Sequence, residues 1–226
     1  MSLAGILIVN KSKNKTSFSI VSELRKVLQV KKIGHAGTLD PFAKGVMVML
    51  IGKEFTKKSN QFLNNDKEYI GKIYLGFISD TFDVDGKIEK VSEREPTLDE
   101  IANILKDFQG KVYQKPPMYS AKKIKGQPLY KLARKGISID RQDVLVELKT
   151  TLVTYSYPYL ELHIKCSKGT YIRAIANDIG KMLNTGAYLE ELVRIRSGPF
   201  LLKDALDQER IFEKDQDLSK FLIKDF

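Results

Sequence analysis

Two short apolar runs dominate the first fifty positions of the chain. Residues 3–9 predict a buried first strand, and residues 45–51 (GVMVMLI) predict a second. Between them Ile20, Val21, Leu24, Val27 and Leu28 recur at helical spacing, with Ser17 or Ser19 available as the cap. GHAGTLDP, residues 34–41, interrupts the pattern as a loop. Residues 69–75 (YIGKIYL) carry lysine at a polar position and predict another strand. Thr97 and Glu100 form a capping box that opens a helix over 98–108, closed by Gly110. Residues 144–155 and Tyr159–Cys166 predict a hairpin turning at Tyr157-Pro158, and a helix over 172–183 follows. Short amphipathic pieces at 205–212 and 218–223 finish the chain. Strands in adjacent runs, with helices of uneven length between them, predict an α+β fold. Its central sheet is expected to be mixed, largely antiparallel and flanked by helices, rather than a regular βαβ series.

Composition narrows the function classes. At 226 residues the chain suits one core, and no apolar run approaches the roughly 20 residues of a membrane helix. The N-terminus lacks the basic segment that precedes the apolar part of a secretory signal, so a cytoplasmic protein is expected. One cysteine, Cys166, excludes an internal disulfide and multi-cysteine zinc patterns, and two histidines, His35 and His163, make a structural metal site a poor expectation. No GxGxxG or GxxxxGK[ST] loop supports a nucleotide cofactor.

The net charge of +10 is unevenly spread. Residues 1–65 hold 11 Lys/Arg against 3 Asp/Glu and residues 110–149 hold 10 against 3, whereas residues 66–109 hold 6 against 11. Two concentrated basic blocks fit a polyanion, because phosphate neutralisation with counterion release rewards clustered cations; solubility charge is the plain alternative. The second block contains the proline-bearing QKPPMYSAKKIKGQPLYKLARKG, which reads as a projecting insertion.

Three constellations could carry chemistry. Asp40, directly before Pro41, is placed as a helix N-cap, yet the glycines of GHAG would let a ligand approach the backbone beside His35 and Thr38. The two roles are compatible, since a carboxylate held by N–H donors stays ionised, as a nucleophile must be. In CSKGTYIRAIANDIG, residues 166–180, Tyr171 is either a rim residue or a functional phenol. Arg173 sits in the first turn of a helix, where the dipole disfavours a cation, so it is expected to pair with a carboxylate or a phosphate. DTFDVDG, residues 80–86, resembles a calcium loop only superficially. Aligning Gly86 with the EF-hand glycine puts Thr81 at the first ligand position and Ser92 at the twelfth, so a solvated acidic turn is expected instead.

Taken together, GHAGTLDPFAKGVMVMLIGKEFTK, DKEYIGKIYLG, DTFDVDG, PPMYSAKKIKGQPLYKLARKG and CSKGTYIRAIANDIG resemble, in order and spacing, bacterial tRNA pseudouridine synthases of the TruB type. These act on uridine 55 of the tRNA T loop. The resemblance implies the pseudouridine synthase fold as a single catalytic domain over 1–226, with an RNA-clasping thumb at 112–142 and no C-terminal PUA domain. It makes Asp40 the catalytic aspartate, Tyr171 the general base and Arg173 the arginine that pairs with the aspartate. Tyr69 would stack on the flipped base, Leu192 would lie beside it, and His35, Lys11 and Lys168 would be further substrate contacts. Lys122, Lys123, Lys125, Arg134, Arg194 and Arg196 would contact RNA. It also implies a monomer whose partner is the tRNA T stem-loop, and neither a metal nor a cofactor.

Overall fold

The computed structural model describes residues 3–124, 126–213 and 217–224. Where the length suggested one core, the chain forms two compact units, residues 1–69 with 192–226 and residues 70–191.

The first unit begins with strand β1 (Gly5–Lys11) and helix α1 (Ser17–Leu28). The cap of α1 is Thr16, whose hydroxyl accepts from Ser19 N at 3.0 Å, not Ser17 or Ser19. Ser17 is instead buried and used elsewhere. Strand β2 (Ile33–His35) pairs antiparallel with β3 (Lys44–Ile51), and β3 pairs antiparallel with β1 along its whole length. Both long strands are buried on their two faces, which is why their sequences are continuous apolar runs. Ile6, Ile8, Val46, Val48 and Leu50 form one side of the core with Phe55, Phe62 and Phe200. The two short helices that follow, α2 (Gly52–Lys57) and α3 (Ser59–Leu63), supply Phe55 and Phe62 to it.

Strand β4 (Lys67–Leu75) leads into the second unit. A hairpin of β5 (Phe77–Ser79) and β6 (Ile88–Lys90) precedes helix α4 (Leu98–Ile104), which carries both bonds of the expected capping box. The α-helix is shorter than its sequence pattern, because residues Leu105–Phe108 tighten into a 3-10 turn. Strand β7 (Gln109–Gln114) follows. The inserted segment folds as a small hairpin, β8 (Lys123–Ile124) with β9 (Gln127–Pro128), and a short helix α5 (Leu129–Ala133). Strands β10 (Val144–Ser156) and β11 (Tyr159–Cys166) form the expected antiparallel hairpin, with helix α6 (Ile172–Met182) after it. Ile172, Ile175, Ala176 and Ile179 are buried, as the spacing requires. The order of strands in this unit is β4-β11-β10-β7.

Strand β12 (Ala187–Ser197) returns the chain to the first unit, followed by β13 (Phe200–Leu201) and β14 (Leu206–Asp207). There the order is β14-β1-β3-β12, with β12 and β14 parallel to their neighbours. The sheet is therefore mixed and largely antiparallel, in an α+β fold flanked by helices.

Candidate active site

In the first unit the loop of residues 34–41 is held from below by two buried cations. Lys11, which is fully buried, donates from Nζ to the carbonyls of Ser12 (2.9 Å), Lys15 (2.8 Å) and Pro41 (3.1 Å). Arg194, 1% exposed, donates from Nε to Val46 O at 2.6 Å, from Nη1 to Thr38 O at 3.3 Å and from Nη2 to Gly37 O at 3.2 Å. Register explains how it gets there. Arg194 lies opposite Gly45 where β12 meets β3, and Gly45 has φ +111°, so any side chain there would run into the Arg194 main chain. The loop is closed from the other side by Ser17, whose Oγ accepts from Leu39 N at 2.9 Å and donates to Leu39 O at 3.0 Å.

Asp40 is half-buried at the end of this frame. No helix follows it: Ala43 N bonds to Asp40 O at 3.1 Å, and the chain turns straight into β3. The helix-cap reading of Asp40-Pro41 therefore falls, because a turn of two residues replaces the helix it would cap. His35 lies at the end of β2, and its buried Nδ1 has no hydrogen-bond partner among the described residues. Burial first, and the Arg194 charge second, lower its pKa and keep the imidazole neutral at neutral pH.

The structure gives Lys11 and Arg194 tasks other than the expected substrate and RNA contacts. A guanidinium that donates to three main-chain carbonyls at 1% exposure is committed to the loop and is out of reach of a phosphate. Arg196 is also committed, pairing through Nη2 with Glu68 Oε1 at 2.9 Å and donating to Gly198 O at 2.7 Å. Tyr69 on β4 and Leu192 on β12 are both buried residues of this unit.

In the second unit Tyr171 is the N-cap residue of α6, with φ −104° and ψ 105° and no side-chain cap bond. Its main chain is gripped by Gln114: Tyr171 N donates to Gln114 Oε1 at 2.8 Å, and Gln114 Nε2 donates to Tyr171 O at 3.1 Å. Arg173, the second residue of α6, is buried and pairs with buried Asp83 through Nη1 and Oδ2 at 2.9 Å. The same Nη1 donates to Thr81 O at 3.3 Å, and Nη2 donates to Tyr119 O at 2.8 Å. Asp83 completes its own bonding with Thr81 Oγ1 at 2.6 Å and Asp85 N at 3.1 Å.

This corrects the expectation of a solvated acidic turn at 80–86. Asp80 and Asp85 are exposed, but Asp83 is buried as the counterion of Arg173. The spacing of carboxylates had pointed toward calcium or solvent, and only the fold brings a residue 90 positions away onto one of them. Gln114 was likewise invisible, since a glutamine at a strand end carries no signal.

The remaining site candidates lie at the surface of the second unit. Lys168 is exposed in the turn before α6. In the inserted segment Lys123 and Arg134 are exposed and Lys122 half-exposed, with the Arg134 guanidinium 5.5 Å from the Tyr130 ring centre. Lys125 lies outside the described residues. Among the described residues no three His, Cys, Asp or Glu side chains cluster as metal ligands would. Among the described residues no helix is long and apolar enough to cross a membrane.

Comparison with known proteins bears on this arrangement. Residues 25–172 match the model of the TruB family pseudouridylate synthase N-terminal domain. A protein of Protochlamydia amoebophila named tRNA pseudouridine synthase B is 55% identical over 209 residues, covering 92% of this chain and 80% of that protein. The chain belongs to the TruB family. A second family member of the same name, from Chlamydia trachomatis serovar L2, is 50% identical over 221 residues and is covered to 92%. The fold also matches a chain in a solved Cbf5-Nop10-Gar1 complex, with TM-score 0.72 at 24% identity over 92% of this chain. This chain spans only 53% of that one, and the likeness there is one of fold.

Proposed function

We propose that the protein is an isomerase that converts uridine to pseudouridine in tRNA, acting on uridine 55 of the T loop. The observation that carries this reading is the 55% identity to a tRNA pseudouridine synthase B over nearly the whole chain. The stretches GHAGTLDP, DKEY and SKGTYIR, which resemble the family's motifs, support the same reading.

The chemistry requires access to both C1′ and C5 of a nucleotide that is normally stacked. The target must be extruded, at a cost of a few kcal/mol that an aromatic face and apolar walls offset. Tyr69 and Leu192 serve as that face and wall, and His35, held neutral, is suited to contact bases without adding charge. Asp40 is the carboxylate that attacks the nucleotide or assists departure of its base, so the N-glycosidic bond breaks and the base rejoins through carbon. Tyr171 is the general base, and Arg173 the cation that the ionised aspartate requires. The reaction conserves every atom and needs neither redox chemistry nor a cofactor. The exposed cations Lys122, Lys123, Arg134 and Lys168 hold phosphates of the T stem-loop, in a cytoplasmic monomer.

The test is to incubate the purified protein with an unmodified full-length tRNA transcript and with a T-arm hairpin, with a chelator present, and to map any pseudouridine formed. Conversion at one T-loop uridine in both RNAs is expected. No conversion, or conversion elsewhere, contradicts the reading.

A further inference from the structure

We propose that Gln114 is a positioning residue that ties the root of the RNA-clasping segment to the backbone of Tyr171, so that the pose of this segment sets the pose of Tyr171 and Arg173. This rests on the functional reading above.

A helix N-terminus leaves N–H groups without intrahelical partners, and a side-chain oxygen of the N-cap residue usually accepts one of them. Helix α6 begins without such a bond. A buried amide from β7 bonds instead to both the N–H and the C=O of the N-cap residue, at 2.8 and 3.1 Å. One planar side chain thus reproduces a step of a β-ladder and fixes the main chain of Tyr171 on both sides.

The chain beyond Gln114 gives this clamp its meaning. It leaves the sheet through Lys115 and two buried prolines, Pro116 and Pro117, whose rings fix φ and stiffen the connection. It reaches Tyr119, whose carbonyl accepts the second grip, from Arg173 Nη2 at 2.8 Å. The first turn of α6 and residues 114–119 are therefore fastened at two points, side chain to main chain in opposite directions. Immediately after the second point, Tyr130 N bonds to Ser120 O at 3.0 Å and Leu129 N to Lys122 O at 2.9 Å, joining this strut to α5 and the basic hairpin. These two fastenings lie at the N-terminal root of the basic segment, on the path by which its displacement reaches the first turn of α6. They end on the two residues of α6 to which chemistry is assigned.

A glutamine that only satisfied an orphan N–H would contribute to stability alone. The substitution Gln114→Glu separates the two cases. A protonated glutamic acid has the shape of glutamine and makes both bonds, whereas the carboxylate still accepts from Tyr171 N–H but faces Tyr171 O with like charge. Burial and that carbonyl raise the pKa of the introduced carboxyl, so the change of state falls within a workable range.

The experiment measures the single-turnover rate of pseudouridine formation on T-arm RNA at saturating enzyme, and separately the RNA affinity and the folded fraction, from mildly basic to mildly acidic pH. Relative to the unsubstituted protein at each pH, the Gln114→Glu rate is expected to be about 10- to 100-fold lower at basic pH and to recover at acidic pH, the scale for a reacting group displaced by about 1 Å. RNA affinity is expected to stay unchanged. Gln114→Met, which makes neither bond, is expected to be slow at every pH. A rate for Gln114→Glu that tracks folded fraction or RNA affinity without acid recovery overturns the proposal, as does a full rate in Gln114→Met. An unsubstituted protein that forms no pseudouridine, or an Asp40→Asn variant that still forms it, counts against the functional reading instead.

Discussion

The loop that carries Asp40 and the helix start that carries Tyr171 and Arg173 are both built around a buried guanidinium, but the two cations are used in opposite ways. Arg194 spends its donors on the carbonyls of Gly37, Thr38 and Val46, so it shapes the main chain of the loop. Arg173 is itself the shaped object, clamped by the Asp83 carboxylate and by the carbonyls of Thr81 and Tyr119. The contrast teaches that a basic residue inside a nucleic-acid enzyme need not touch nucleic acid. Its role follows from whether its partners are carbonyls, a carboxylate or solvent.

The largest effect is expected where charge meets charge. Asp83→Ala breaks the buried Asp83–Arg173 ion pair and is expected to cost about 3–5 kcal/mol in urea unfolding. The pair Asp83→Leu with Arg173→Met should return much of that stability without restoring turnover. At Arg194 the partners are dipoles, so Arg194→Met is expected to cost less, roughly 2–3 kcal/mol for stranded carbonyls. The sharper reading is salt dependence. Arg194→Met should leave the slope of log affinity against log salt unchanged, whereas Lys123→Ala should reduce it by about 0.7–0.9, the value of one phosphate contact. A lowered slope for Arg194→Met would return that residue to the RNA surface.

Smaller effects follow outside these two cations. Thr97→Ala removes the cap of α4 and is expected to cost about 1 kcal/mol with no change in turnover. His35 gives the smallest effect and the one that depends on pH. Its pKa is lower in the folded protein than in the unfolded chain, so the unfolded chain takes up the proton first as pH falls below about 6.5. Stability is thus lost on the acid side of that value and is complete above it. His35→Asn should flatten this limb in denaturation measured across that range.

Much of the fold was legible because packing and pattern agree. Strand β3, the capping box at Thr97 and the Tyr159–Cys166 hairpin strand lie where periodicity places them. Strand β12 was not legible. Glu190, Glu191, Arg194 and Arg196 break its apolar rhythm, and burial of Arg194 is possible only because Gly45 and three carbonyls receive it. Of the candidate site, Asp40, Tyr69, Tyr171 and Arg173 stand in local motifs that the sequence displays, and their roles are those proposed above. The supporting contacts were not legible, since Asp83, Gln114 and Ser17 reach their partners across 90, 57 and 22 positions. Such contacts leave no local spacing to read.

The claim that Asp40 is the reacting carboxylate is tested most directly by single-turnover conversion of an unmodified T-arm RNA by the unsubstituted protein and by Asp40→Asn. The substitution keeps the size of the side chain and removes its charge. Pseudouridine is expected with the first and none with the second, with RNA affinity unchanged within a small factor. Pseudouridine formed by Asp40→Asn at a comparable rate would contradict the account.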